Sequence, residues 1–506
     1  MNLIEIPKKS KDDCIKSFTN YILKDYNYEI LYKLTSIGEL GENNLRGIAW
    51  KIFMGVLPGN ELDKWVENLS YLRTEYKILS DKIQKEQNYF EDAKKEKNIK
   101  SSNSIGKLLK KHSSLYNPFH HEKETKELID LDLKRTFQEL SLFHDEKIKK
   151  RLSQILFLWN KENSEPGYQQ GMNDILSIIF LSLYPYYFPN ENKNNIESLV
   201  KSNDKNKIIN NAEDIYLFFH DEDELNSDLF ICFNHVMKKG VKSFYDYEFE
   251  SHEKQTEYFK KHLLFKNIYN LEKEGELDCP LNLRCKMIIN EKLKVIDKEL
   301  FEHFNKIDLD CTIFLQRWLK CLFNREFELK DVLIIWDAVL ATPCFQKGYN
   351  LFKIDMIVLS MILRKRNILL LCDQNQCFML MLQYPRIENI LELIIFSDKL
   401  QLAVIDLIEG RKSIFIENVK SFIINYNNKN KNINEVKKTK DDNKVNNYKN
   451  NDDAKFIKEN KTIEPIKNYQ EGIERLGNIF NKYRSLMSIT DEREFINIIQ
   501  FFNNYK

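Results

Sequence analysis

Residues 148–184 read IKKRLSQILFLWNKENSEPGYQQGMNDILSIIFLSLY, two apolar stretches on either side of a polar turn that contains Pro166 and Gly167. Apolar residues at helical spacing predict one helix over 148–159 and a second, after the turn, over 172–184. Similar patterns predict further helices at residues 128–142, 224–239, 284–305, 311–323, 331–340, 352–371, 376–397 and 399–423. Because strands do not alternate with these helices, the sequence predicts an all-α fold.

The composition fits a helical chain with a large core. Of the 506 residues only 14 are Gly and 10 are Pro, whereas 42% are hydrophobic. The 77 Lys and Arg residues balance 76 Asp and Glu residues, which argues against nucleic-acid binding through bulk positive charge. Nine Cys residues form no C-x-x-C pair and the first residues lack a signal-peptide pattern, so we expect a reducing, cytoplasmic compartment.

Membrane contact is expected to be peripheral. A transmembrane helix needs about 18 or more consecutive apolar residues, and the best apolar run here, residues 175–188, is shorter. The sequence therefore predicts no transmembrane segment.

The pattern divides the chain into four parts. We predict a short lead-in over 1–29, a helical domain over 30–410 with polar insertions at 70–112 and 189–211, a disordered Asn/Lys-rich linker over 426–462, and a helical segment over 463–506. The last segment is amphipathic over 466–504, but two heptads are too few to establish a coiled coil. It either packs back onto the domain or docks a partner.

Common catalytic motifs are missing from the sequence. There is no G-x-x-x-x-G-K-[ST], no H-E-x-x-H and no G-x-S-x-G. The pair His120-His121 lacks Cys or carboxylate partners at ligand spacing, so we interpret both residues as surface histidines. The sequence therefore predicts no metal or cofactor bound by the chain itself.

Residues 129–136, IDLDLKRT, place Asp132 and Arg135 on one face of a helix, with Ile129 available to anchor that face to the core. Arg is scarce here, since Lys is several times as frequent. A guanidinium suits a planar contact with phosphate oxygens. The alternative is an ordinary intrahelical ion pair worth about 0.2–0.5 kcal/mol.

Residues 165–174, EPGYQQGMND, form a loop that leads into the helix after it. Gly171 permits a close backbone approach or an unusual φ just beyond Gln170. The amide of Gln170 could hold a water molecule, because it donates and accepts hydrogen bonds at once. The alternative is a simple helix-entry turn with Tyr168 packed against the core.

A third pair, Arg46 and Trp50, lies four residues apart on a predicted helix. This spacing predicts cation–π packing within the core, with both residues bracing a site rather than acting in it.

These motifs, R-x-x-x-W, I-x-x-D-x-x-R and Y-x-Q-G in this order, resemble the TBC domain of Rab GTPase-activating proteins. Residues 225–237 (LNSDLFICFNHVM), 295–304 (VIDKELFEHF) and 314–341 (FLQRWLKCLFNREFELKDVLIIWDAVLA) continue the similarity. It covers about residues 30–400.

The resemblance implies an all-helical, V-shaped domain that acts on a Rab GTPase in its GTP form. It implies that Arg135 neutralises charge on the transferred phosphate and that Gln170 orients the attacking water. Asp132 would position Arg135, and Tyr168 and Gly171 would shape the loop. GTP and Mg²⁺ would be carried by the Rab, so the chain would supply catalytic groups in trans without a nucleotide site of its own.

The same resemblance implies a role in vesicle trafficking, in the cytoplasm and peripherally at endosomal or Golgi membranes. The alternative is a TBC scaffold without catalytic activity that binds Rabs or trafficking coats.

Overall fold

The residues that the structure describes form twenty α-helices. The structure, a computed structural model, describes residues 3–100, 118–191, 194, 196–202, 204–265, 277–342 and 351–408. Two isolated parallel bridges, Ile4 with Leu140 and Phe188 with Asp221, are the strand-like pairings in these ranges. The prediction of an all-α fold is confirmed.

The helices of the first half are α1 (Lys11–Phe18), α2 (Tyr28–Ser36), α3 (Arg46–Phe53), α4 (Leu62–Lys100), α5 (Pro118–Arg135), α6 (Glu146–Glu162), α7 (Met172–Leu183), α8 (Ile196–Lys201), α9 (Lys205–Asn210), α10 (Ala212–Phe219) and α11 (Leu225–Lys238). Those of the second half are α12 (His252–His262), α13 (Pro280–Met287), α14 (Lys298–Lys306), α15 (Thr312–Lys320), α16 (Leu329–Ala341), α17 (Phe352–Arg364), α18 (Arg366–Leu369), α19 (Gln374–Leu382) and α20 (Ile390–Ile408). Helix α1 continues as a π-helix over Thr19–Lys24, and α13 continues through the π-helical Ile288–Leu293 to Ile296.

Helix α7 lies at the centre of the fold, and every residue from Met172 to Leu183 is buried. It packs against α6, α11, α3 and α5. A helix that is apolar on all sides is stable in water only when neighbours surround it. This placement fixes the start of α7, and with it the loop that contains Gln170.

Residues 3–29, within the predicted lead-in over 1–29, contain α1 and the start of α2, and α1 packs against α10. Cys14 and Phe18 of α1 are buried. The ring of Phe18 packs edge-on against Tyr216 of α10 at a centroid distance of 5.5 Å. The sequence signal was weak because α1 has only two buried positions among charged residues.

The predicted polar insertions also contain packed structure. Helix α4 extends through residue 100, and its residues Arg73 and Ile83 are buried, so the first turns after residue 70 are not an appendage. The second insertion, 189–211, contains α8 and α9, which bury Ile196 and Ile208. Residues 101–117 lie outside the described residues, as do the predicted linker over 426–462 and the amphipathic stretch over 466–504.

Several helix boundaries differ from the sequence prediction. The helix predicted over 128–142 ends at Arg135, the one over 284–305 is divided at Asp297, and the one over 352–371 is divided at Lys365. The predicted helix over 376–397 is divided into α19 and α20, because Pro385 lacks an N–H and disfavours helical backbone before it. The predicted break near residue 398 is not present, and α20 continues to Ile408. No described helix combines the length and the hydropathy that crossing a bilayer requires.

A buried ionic cluster around Asp228 of α11 joins several helices. Its carboxylate accepts hydrogen bonds from Lys51 of α3 at 2.8 Å, from Arg73 of α4 at 2.8 Å, and from the hydroxyl of Tyr187. Burial alone would raise the pKa of the Asp228 carboxyl, but Arg73 and Lys51 outweigh burial and hold it well below its usual value. The carboxylate is therefore charged in the core, together with two cations that depend on it.

We predict that Asp228→Asn destabilises the folded protein by about 3–5 kcal/mol, because the change leaves two buried cations without their counterion. Urea denaturation followed by circular dichroism measures the loss. The matched control is Glu302→Ala, which removes one member of the exposed i, i+4 pair with Lys298 and should cost less than about 0.5 kcal/mol. Equal effects of the two substitutions would contradict the role of the cluster.

Candidate functional site

Helix α5 ends at Arg135 and presents its guanidinium at the surface. Ile129 and Leu133 are buried and hold the inner face of the helix against the core. The Asp132 side chain is 2% exposed and that of Arg135 is 65% exposed, and Nη2 of Arg135 donates to Oδ1 of Asp132 at 2.8 Å. A buried carboxylate thus holds an exposed cation, and Ile129 is the anchor that the sequence predicted.

The second oxygen of Asp132 is occupied by Tyr168, from the loop before α7. The Tyr168 hydroxyl donates to Oδ2 of Asp132 at 2.9 Å, across 36 positions of sequence. Burial raises the pKa of the Tyr168 hydroxyl well above its usual value, and the Asp132 charge raises it further. Tyr168 is therefore a protonated donor at neutral pH, and it connects the loop to the arginine helix.

A chain of hydrogen bonds fixes the loop to the end of α5. Gly171 has a φ of 105°, which a glycine adopts without strain, and its N–H donates to Oδ1 of Asn173 at 3.0 Å. Nδ2 of Asn173 donates to the Thr136 hydroxyl at 2.8 Å. Thr136 in turn donates to the backbone carbonyl of Asp132 at 2.8 Å. The loop and the helix terminus therefore form one bonded unit.

Gln170 stands at the tip of this loop with its side chain exposed. Its amide has no hydrogen-bond partner within the part of the chain that the structure describes. Gln170 and Arg135 line one cleft of about 280 Å³. The structure thus brings these two predicted site residues together, although a whole helix, α6, separates them in sequence.

The other residues that line the cleft are Asp132, Thr136, Phe137, Glu139, Asn173, Asp174, Asn324 and Arg325. The sequence did not predict that Arg325 pairs with Asp174. Nε of Arg325 donates to Oδ2 of Asp174 at 3.0 Å, and Arg325 keeps nearly half of its side chain exposed. Both residues lie in segments that carry the family resemblance, but their contact across 151 positions leaves no local sequence signal.

The cleft therefore has two guanidinium groups, each held by a carboxylate buried beneath it. Burial raises the pKa of Asp174, and Arg325 opposes that increase. Each cation is oriented by an anion on the protein side and lines the cleft through its exposed part. Such an arrangement suits a ligand that presents several negatively charged oxygens.

Arg46 and Trp50 lie in the core, on α3, where both donate to the buried Asp337 of α16. Arg46 binds the carboxylate through Nε at 2.9 Å and Nη2 at 2.8 Å, and Nε1 of Trp50 binds it at 2.6 Å. The predicted cation–π packing is replaced by this shared carboxylate, and the Trp50 ring stacks instead on Trp336 at 5.6 Å. Neither residue lines the cleft.

Comparison with known proteins defines the class to which this helical, cleft-bearing domain belongs. A sequence model of the Rab-GTPase-TBC domain matches residues 43–283 and 261–370, more than half of the chain. The chain therefore belongs to the Rab-GTPase-TBC domain family.

Curated relatives agree with this assignment. The chain is 27% identical to TBC1 domain family member 5 of Mus musculus over 358 residues, which cover 71% of this chain and 40% of the relative. It is 25% identical to TBC1 domain family member 5 homolog B of Dictyostelium discoideum, covering 74% of this chain and 42% of the relative. The match thus spans about two fifths of these longer proteins.

Two further matches, one to a sequence and one to a solved structure, cover other shares of the chain. GTPase-activating protein GYP1 of Saccharomyces cerevisiae is 23% identical over 42% of this chain and 27% of its own length. The crystal structure of the Ypt/Rab-GAP domain of Gyp1p superimposes with a TM-score of 0.48 at 19% identity, covering 78% of this chain and 99% of that structure.

Neighbouring substitutions in the loop should differ in their effect on stability. We predict that Gly171→Ala costs about 1–3 kcal/mol, because a Cβ is strained at this φ and would lie 3.3 Å from the Tyr245 hydroxyl. Gln170→Ala should change stability by less than about 0.5 kcal/mol, because the exposed amide has no partner in the described structure. Thermal unfolding of both variants tests this difference, and a large loss for Gln170→Ala would mean that Gln170 supports the fold.

Proposed function

We propose that the chain stimulates GTP hydrolysis by a Rab-family GTPase, to which it supplies Arg135 and Gln170 in trans. The observation that carries this proposal is the cleft lined by both an exposed guanidinium, oriented by the buried Asp132, and the amide of Gln170, which has no hydrogen-bond partner among the described residues. Membership of the family and the name of the yeast relative, a GTPase-activating protein, support the same activity.

Arg135 acts on the charge that develops during phosphoryl transfer. As the bond to the γ-phosphate breaks, negative charge builds on the phosphate oxygens, and a guanidinium placed there stabilises the transition state more than the ground state. Asp132 accepts one hydrogen bond from Nη2 of Arg135. The other N–H groups of Arg135 remain available to the phosphate oxygens.

Gln170 acts on the water. Its carbonyl oxygen accepts a hydrogen bond from the attacking water molecule and its NH₂ group donates one, so the water is held in line with the bond that breaks. The loop can present Gln170 in one orientation because Tyr168, Gly171 and Asn173 are bonded beneath it. Gln170 then performs the task that the GTPase would otherwise assign to its own switch glutamine.

Asp132 and Tyr168 are positioning residues in this mechanism. Tyr168 holds one oxygen of Asp132 and Arg135 holds the other. The loop before α7 and helix α5 are therefore anchored by the same carboxylate. Arg46 and Trp50 brace α3, which packs against α7 and α16. Their contribution to activity is the placement of α7, at whose start the loop lies.

The partner follows from membership of the family. The substrate is a Rab in its GTP form, which brings the nucleotide and Mg²⁺, so the chain needs neither. The expected setting is vesicle trafficking in the cytoplasm, with recruitment to endosomal or Golgi membranes through the Rab.

The test is a GTP-hydrolysis assay against a panel of purified Rabs. For a Rab that the wild-type chain stimulates, Arg135→Ala should remove most of an acceleration of about 10³–10⁵-fold. Arg135→Lys should be nearly as damaging, because an ammonium cannot reproduce the planar fork. Gln170→Ala should also be severe. Circular dichroism of each variant serves as the control for folding.

A converse experiment separates the two catalytic residues. A Rab whose switch glutamine is replaced by Leu should still be stimulated by the wild-type chain, since Gln170 supplies that function, but not by Gln170→Ala. Full activity of both Arg135→Ala and Gln170→Ala would contradict the mechanism. A wild-type chain that binds GTP-loaded Rabs and stimulates none of them would favour the scaffold alternative.

A further inference from the structure

Residues 3–9 form an arm that pairs with the loop after α5, the helix that ends at Arg135. The N–H of Ile4 donates to the carbonyl of Glu139 at 2.8 Å, and the N–H of Ser141 donates to the carbonyl of Ile4 at 2.9 Å. This exchange places Ile4 beside Leu140 as a parallel bridge. The family match begins only at residue 43, so the arm lies outside the region that the comparison covers.

The other end of the arm is fixed to the core. The N–H of Lys9 donates to the carbonyl of Pro185 at 2.8 Å. Nζ of Lys8 donates to the carbonyl of Tyr187 at 2.7 Å and lies 3.9 Å from the centre of the Tyr184 ring. Ser10 then caps α1, which packs against α10. An arm held at this end restrains the residues that are bonded to its other end, at Ile4.

The loop that the arm holds is part of the cleft. Helix α5 ends at Arg135, and the chain turns sharply at Phe137, a residue with a φ of 44° that side chains seldom adopt. Phe137 and Glu139 line the cleft together with Arg135. A strained turn persists only where its surroundings fix it, and the bonds of the arm to residues 139 and 141 are such a restraint.

We propose that the arm over residues 3–9 is a positioning element for Arg135. The arm acts by holding the turn over residues 136–141, which directly follows α5. This inference rests on the proposed GTPase-activating function for its effect on catalysis. It requires the backbone of Ile4, not its side chain. The side chain is 55% exposed and contributes little to the core.

A matched pair of variants separates the backbone from the side chain. Ile4→Pro removes the N–H that donates to Glu139, whereas Ile4→Ala keeps it and shortens the side chain. Deletion of residues 1–5 is the second disrupting variant, and it leaves the anchor at Lys8 and Lys9 in place. All three should retain the helical circular dichroism and the thermal unfolding midpoint of the wild type.

Two readouts distinguish a positioning role from other roles. The first is the hydrolysis rate of a stimulated Rab at increasing GAP concentration. Ile4→Pro and the deletion should lower kcat about 10–100-fold, the cost of a misplaced catalytic group, with KM within twofold of wild type. Ile4→Ala should leave both constants within twofold.

The second readout needs no Rab and therefore tests the arm even if the proposed function fails. Amide hydrogen exchange at Ser141 should accelerate at least tenfold in Ile4→Pro and in the deletion, and not in Ile4→Ala. Unchanged exchange at Ser141 in the two disrupting variants would overturn the inference.

The kinetic outcomes are equally decisive. An accelerated Ser141 exchange with an unchanged kcat would show that the turn does not position Arg135, which overturns the inference and leaves the proposed function intact. If Ile4→Pro and Ile4→Ala both raised KM by more than twofold and to the same extent, the arm would be a contact for the Rab. That result also overturns the inference. A wild-type chain that stimulates no Rab would defeat the proposed function, and the exchange data would then decide on the arm alone.

Discussion

A carboxylate buried in a helical core fixes the helices that neutralise it, and this protein is organised around such groups. Asp228 takes its donors from α3, from α4 and from Tyr187, beyond the end of α7. Helices that pack only through aliphatic side chains can slide by small amounts at little cost. A helix that carries Lys51 or Arg73 cannot, because any displacement leaves a charge buried without its partner.

The same constraint appears elsewhere in the described core. Asp337 binds α3 to α16, Asp355 binds α13 to α17 through Arg284, and Asp297 receives Arg366. In these clusters the cation is largely buried along with the anion. At Asp132 and Asp174 the anion is buried and the arginine reaches outward. The same kind of buried carboxylate that stabilises the core thereby orients an arginine at the surface.

The sequence predicted the local elements well where their pattern was strong. The spacing of apolar residues located α6, α7, α11 and α16 to within a few residues, and the anchor role of Ile129 followed from its position on α5. It failed where the signal depended on a distant partner. The i, i+4 spacing of Arg46 and Trp50 suggested that they contact each other, whereas both bind Asp337, 287 or more positions away. Arg73 was assigned to a polar insertion because its partner lies on α11.

What the sequence by itself determined is the helical class, the family resemblance and the identity of Arg135 and Gln170 as candidate site residues, since periodicity and motif order are properties of neighbouring positions. Only the tertiary structure decided that these two side chains share a cleft, that Arg325 and Asp174 belong to it, and that residues 3–9 return to hold the turn after Arg135. These are contacts between segments far apart in the chain. Their partners are selected by the desolvation of buried charge and backbone groups in the packed core, and that selection leaves no trace in local spacing.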